Sequence, residues 1–145
     1  MDMSPKEYQE YLKRINPRSP VGKNMALAFL VGGGICCLGQ ALGQWYGLLG
    51  LSQQEASGAA SVTLVFLSAL STGLGLYHRL ARYAGAGTLV PITGFANAVA
   101  SPAIDFRAEG IVTGTAVKMF SVAGPVIVFG TAASVAYGLL LWALG

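Results

Sequence analysis

Two stretches without a single charge, residues 24–54 and 119–145, dictate what this chain can become. About 20 apolar residues in a helix cross the hydrocarbon of a bilayer, and each stretch exceeds that length. A soluble fold has no way to hide them, since 54% of the 145 residues are hydrophobic and 10% are charged, against roughly 25% charged in an average soluble domain. Seven of the fifteen charged residues stand in residues 1–18. The chain therefore divides into a polar arm, 1–23, and one small membrane domain, 24–145. Pro5, Pro17 and Pro20 precede the first apolar run, an order foreign to a cleaved signal peptide.

Ser4-Pro5-Lys6-Glu7 reads as a helix start, with a capping hydroxyl, proline at the first helical position and a carboxylate three residues after the cap. Tyr8, Tyr11, Leu12 and Ile15 then share one face. That stripe predicts a short amphipathic helix over 5–15, lying on the membrane surface or on a partner, with a frayed solvent helix as the plainer reading. Asn16-Pro17-Arg18-Ser19-Pro20 follows as a linker. The first span is expected over about 24–51 and the second over about 56–77, joined by the turn Ser52-Gln53-Gln54-Glu55. Lys6, Lys13, Arg14, Arg18 and Lys23 precede the first span, and Arg79 and Arg82 follow the second. Because basic loops stay in the cytoplasm, the N-terminus and the 78–87 loop are placed inside. The net charge of +3 comes mostly from the first group, and topology and anionic lipid explain it better than nucleic acid does.

The stretch from Ala84 to Ile104 is apolar but interrupted by Gly85, Gly87, Pro91, Gly94, Asn97, Ser101 and Pro102. Backbone freed by proline and glycine at membrane depth needs protein or a wet cavity to satisfy it, so a re-entrant pair of half-helices fits better than a straight span. From Gly110 to Leu144 the chain is long for one crossing, and Gly124-Pro125 is expected to cut it into a first half over about 109–123 and a spanning helix over about 125–144. The fold class is then all-α integral membrane, with about three spanning helices (24–51, 56–77 and 125–144), a broken re-entrant region over about 84–123 and a short N-terminal helix. Aligning 29–49 with 120–140 at a constant offset of 91 matches nine of twenty-one positions, among them Gly33 with Gly124 and Tyr46 with Tyr137. Chance likeness between apolar segments is one explanation. A repeat broken at the same point in each copy is the other, and it favours transport.

Gly39, Gly43 and Gly47 recur every fourth residue, with Gln40 and Gln44 beside them. Small residues at that spacing let helices approach closely, and amides bond between helices or line a wet path. Ordinary helix packing and a pore lining are both compatible with the pattern. Gly32-Gly33-Gly34 upstream reads as a hinge or break. A half-helix starting at Pro91 would aim free N–H groups into the broken region, which suits an anion, and the same holds at Gly124-Pro125. Thr88, Thr93, Asn97 and Ser101 would add hydrogen-bonding groups for a doubly carboxylated solute, with Gly94 between them, and a purely structural kink is the alternative. Lys118, nine residues after Glu109, snorkels to an interface, meets a partner or faces the path. Asp105, Arg107 and Glu109 read as a solvated connection.

Catalysis is not expected. His78 is the single histidine, no acid, cysteine or serine forms a triad or metal spacing with it, and Gly85-Ala86-Gly87 lacks the Gly-Lys-Ser/Thr ending of a phosphate loop. Cys36 and Cys37 are adjacent within a span and cannot serve as a disulfide staple. No cofactor is implied. No acidic residue suggests a proton relay inside the spans, so passive flux or a drive supplied elsewhere is expected.

The run Ala84 to Ala103, above all Val90-Pro91-Ile92-Thr93-Gly94-Phe95-Ala96-Asn97, together with Glu109-Gly110 and Lys118 to Gly130, resembles the stage V sporulation protein AC family. Ala28-Phe29-Leu30-Val31-Gly32-Gly33, Ile35-Cys36 and Gly39-Gln40 resemble it as well. The sister AE family is similar in the same region. The resemblance implies a component of the spore inner-membrane complex that imports dipicolinic acid, as its calcium chelate, into the developing spore and releases it at germination, with tension-gated channel behaviour. The chain is accordingly read as a channel subunit, and the charge rule puts its N-terminus on the core side. The resemblance also implies an AE-like membrane partner and a soluble, thiolase-like AD partner. The candidate solute path, which is a reading of the residues and not a property of the family, comprises Gly39, Gln40, Gly43, Gln44, Thr88, Pro91, Thr93, Gly94, Asn97, Ser101, Lys118, Gly124 and Pro125. Several copies or the AE-like partner would complete it. The alternative is a non-conducting scaffold that recruits the soluble dipicolinate binder.

Overall fold

The computed structural model describes residues 4–15 and 20–144, and the side chains of all of these except 13 and 14. The linker at 16–19 and the final residue lie outside that description. Six α-helices follow in order: α1 (Pro5–Ile15), α2 (Val21–Leu48), α3 (Gln53–Gly73), α4 (Tyr77–Ala84), α5 (Pro91–Asp105) and α6 (Val117–Leu144). A 3-10 turn, Gly85–Leu89, links α4 to α5; a second, Arg107–Glu109, and a π-helical segment, Ile111–Ala116, lead into α6. Among the described residues, three helical stretches, Val21–Leu48, Gln53–Gly73 and Ile111–Leu144, are long and apolar enough to cross a membrane. The all-α membrane architecture with three spans is thus the observed one.

Helix ends follow local chemistry. Ser4 and Glu7 form the expected cap of α1, with Ser4 N–H donating to Glu7 Oε2 at 2.9 Å. Ser52 and Glu55 do the same for α3, each satisfying the other's backbone N–H. Both α2 and α3 end in a glycine with positive φ, Gly50 at 92° and Gly75 at 69°. In each case the N–H of the residue after that glycine bonds back five residues, Leu51 to Tyr46 and Leu76 to Ser71. Only glycine enters this left-handed stop without a steric penalty, and it satisfies carbonyls that would otherwise hang free.

α3 is the centre of the domain. Ala56, Ala60, Leu64 and Ser68, one per turn, are buried against α2 and α5. Tyr46 and Thr63 join α2 to α3 through hydroxyls 2.8 Å apart. Along α5 the partners keep a constant offset of 25 residues: Ser68 bonds Thr93 and Thr72 bonds Asn97. Hence α3 and α5 run parallel, and both end toward the same side. Between them α4 and the first 3-10 turn carry the chain back across α2. There the approach is so close that a Cβ on Gly87 would sit 2.8 Å from Ala28 Cα, and one on Gly32 would sit 3.2 Å from Gly87 O. Tyr77 Oη donates to Thr88 O at 2.8 Å and closes that segment.

Three expectations about breaks are corrected. α2 runs unbroken through Gly32-Gly33-Gly34, and α6 runs unbroken through Gly124-Pro125. Ser101 and Pro102 lie inside α5 rather than interrupting it. The reason is the solvent. In lipid a freed carbonyl finds no water, so a helix retains a glycine run or a proline that in water would end it. The region from Gly110 onward is irregular at a different place, in the π segment, where Gly110 O accepts from both Gly114 N and Thr115 N at 3.2 and 3.0 Å. Gly33 and Gly124 therefore mark no common break, and the internal repeat loses its structural support.

The domain is inside out relative to a soluble protein. Its buried apolar residues are few and mostly small, whereas Phe29, Phe129 and Trp142 are 80%, 74% and 84% exposed. Every residue of α6 from Pro125 to Leu144 is exposed. α6 packs on α5, and α5 stops at Pro91, which leaves nothing for the rest of α6 to lean on.

Candidate functional site

Small residues on both helices hold α2 and α3 apart only enough to leave a crevice of about 530 Å³ between them. Gly39, Gly43 and Gly47 form one wall, Ala56 and Ala60 the other, and Gln40, Gln44, Gln53, Ser57 and Ser61 supply its polar groups. Leu64 and Ile92 close its far end. A Cβ on Gly39 would come within 3.3 Å of Leu64 Cδ1, whereas those on Gly43 and Gly47 would meet nothing within 4 Å. The glycine stripe thus serves close packing at Gly39 and faces open space at Gly43 and Gly47. A volume of this size falls in the usual range for small-molecule sites.

Ile92 belongs to the first turn of α5, so the crevice abuts the broken region through that residue. Pro91 occupies the first helical position and no side chain caps this end. Thr93 and Asn97 face α3, where Ser68 Oγ donates to Thr93 O at 2.6 Å and Thr72 Oγ1 lies 2.8 Å from Asn97 Oδ1. Thr93 Oγ1 is buried and has no partner among the described residues. Gly94 is structural: a Cβ there would be 2.9 Å from Thr88 O and 3.1 Å from Leu89 Cα, so glycine permits the tight reversal into α5. Thr88 is committed as well, its hydroxyl to Gly85 O and its carbonyl to Tyr77. Ser101 is half-buried further along α5.

The remaining candidates stand apart from the crevice. Lys118 Nζ sits 4.0 Å from the centroid of the Phe106 ring, a cation held over an aromatic face at the start of α6. Gly124 meets nothing within 4 Å and Pro125 is exposed, both within the continuous α6. With no helix start at Gly124-Pro125, the second anion-attracting helix end expected there does not exist. The sequence reading missed the α3 side of the site. Ser57, Ser61, Ser68 and Thr72, with Leu64 between them, fall at steps of three or four residues and mark one face of the helix, a signal available in the sequence. It passed unnoticed because these hydroxyls are uncharged and, in Ser61 and Thr72, also bond back to their own helix.

A family model described as SpoVAC/SpoVAEB sporulation membrane protein matches residues 24–140, which takes in the crevice, the α4 to α5 segment and most of α6. Stage V sporulation protein AC of Bacillus subtilis (strain 168) is 43% identical over 137 residues, covering 94% of this chain and 91% of that protein. No solved structure matches the chain. The chain belongs to the SpoVAC/SpoVAEB family of sporulation membrane proteins.

Proposed function

We propose that the protein is a non-enzymatic channel subunit that moves dipicolinic acid, as its calcium chelate, across the spore inner membrane during sporulation and germination. The observation that carries this reading is the crevice between α2 and α3, whose amide and hydroxyl groups lead to the uncapped start of α5 at Ile92. A compact ring with two carboxylates is the kind of solute that such amide and hydroxyl donors, with a helix N-terminus at their end, would accept. In this reading α4, its 3-10 turn and α5 re-enter the membrane and leave on the side they came from, with the N-terminus and Asp105 on the core side. The crevice is open along its flank, so a second copy or an AE-like membrane protein supplies its other wall, and a soluble thiolase-like AD protein delivers the solute.

Gly43→Leu is the discriminating variant, because the space before Gly43 is open and a leucine there fills the crevice without displacing backbone. It is expected to abolish dipicolinate uptake by the forespore while the protein reaches the membrane at its normal level. Gly94→Val, by contrast, drives a side chain into the Thr88 and Leu89 backbone and reports on folding of the hairpin. Normal uptake with Gly43→Leu would favour the second reading, a scaffold that recruits the soluble dipicolinate binder without conducting.

A further inference from the structure

Beyond Leu64 and Ile92, where the crevice ends, stand Ser68, one turn further along α3, and Thr93, the next residue of α5. From that point polar groups also join the two helices. Ser68 Oγ donates to Thr93 O at 2.6 Å, and Thr72 Oγ1 lies 2.8 Å from both Asn97 Oδ1 and Ser68 O. Thr93 is 6% exposed, and its Oγ1 has no partner among the described residues. Buried polar groups are nearly always paired, and one that is not weighs against the packed state that buries it. A hydrocarbon side chain at position 93 would close the same interface without that penalty, so the Thr93 hydroxyl is a group that does better when wet.

We propose that the α3–α5 seam is the closed continuation of the crevice and acts as its gate: when α3 and α5 part, water and the carboxylate oxygens of the solute reach Thr93 Oγ1, Ser68 Oγ and the Asn97 amide. The proposal rests on the transport reading above. Thr93 Oγ1 gains a partner on opening, whereas Ser68 Oγ surrenders one, so the two hydroxyls bias the equilibrium in opposite directions. A purely structural pair would respond to both deletions in the same sense.

The test uses the full chain in phospholipid vesicles loaded with calcium dipicolinate. Thr93→Val keeps the shape and removes the orphan hydroxyl, which favours the closed seam; release is expected to fall at least about five-fold, with no loss of thermal stability. Ser68→Ala removes the closing bond, and release is expected to rise. Equal release from Thr93→Val and the unaltered protein would overturn the proposal. A second measurement needs no solute: with Cys36 and Cys37 replaced by alanine, Thr93→Cys is expected to react with a charged thiosulfonate reagent, faster in osmotically swollen vesicles. Absence of reaction in swollen vesicles overturns the gate even where dipicolinate crosses. Reaction without dipicolinate release supports the parting of the seam and removes the transport reading.

Discussion

Glycine has two opposite roles in this chain, and coordinates tell them apart at single positions. At Gly87 the missing Cβ lets the 3-10 turn touch the Ala28 backbone. Gly87→Ala is expected to lower stability by about 1–3 kcal/mol, since backbone cannot step aside as a flexible side chain does. At Gly43 there is room, and alanine, a better helix former by about 1 kcal/mol, is expected to leave stability unchanged or raise it. Thermal unfolding of both variants in detergent checks the contrast, and equal effects would refute it. The four-residue stripe containing Gly43 suggests close packing there, whereas the close approach is at Gly87, which belongs to no such stripe. On the arm, the Ser4 hydroxyl and N–H hold the Glu7 carboxyl below its ordinary value of 4.5. The cap is therefore at full strength above that pH and is lost as pH falls through the depressed value. Protection of the first-turn amides of α1, taken relative to their intrinsic exchange rate at each pH, is expected to fall as pH drops through the depressed value and, in Glu7→Gln, to lose this dependence.

At the scale of elements, the sequence reading succeeded where hydrophobic length decides and failed where proline and glycine were given the meaning they have in water. The spans expected over 24–51 and 56–77 are seen as Val21–Leu48 and Gln53–Gly73, and Pro91 does open a helix. Gly124-Pro125 does not, because a carbonyl freed in lipid has no replacement partner and the helix continues around the single missing bond. Pro125→Ala supplies an N–H for Ser121 O and is expected to raise the thermal stability of α6, by up to about 3 kcal/mol, while leaving dipicolinate uptake intact. Lost uptake would show that the proline matters to the path after all. The α3 face of the site was legible in principle, as Ser57, Ser61, Ser68 and Thr72 fall at helical spacing. What the sequence could not show is the constant offset that sets those hydroxyls against Thr93 and Asn97, since it depends on α4 and its turn bringing α5 back parallel to α3.

At the scale of the molecule, the parallel course of α3 and α5 makes a topological prediction. With Cys36 and Cys37 replaced, Asp105→Cys is expected to be labelled from the side of the N-terminus and Leu144→Cys from the opposite side, whereas a full crossing by α5 would exchange the two. The small buried core, the open flank of the crevice and the unaccompanied length of α6 from Pro125 onward all fit a subunit completed by neighbours. The central claim is that such an assembly moves calcium dipicolinate. The most direct measurement is release of that solute from vesicles under osmotic stretch, with the purified protein alone and together with the proposed AE-like and AD-like proteins. Release well above that of protein-free vesicles, blocked by Gly43→Leu, is the predicted result; vesicles that retain the solute under every tension and in every combination would contradict it.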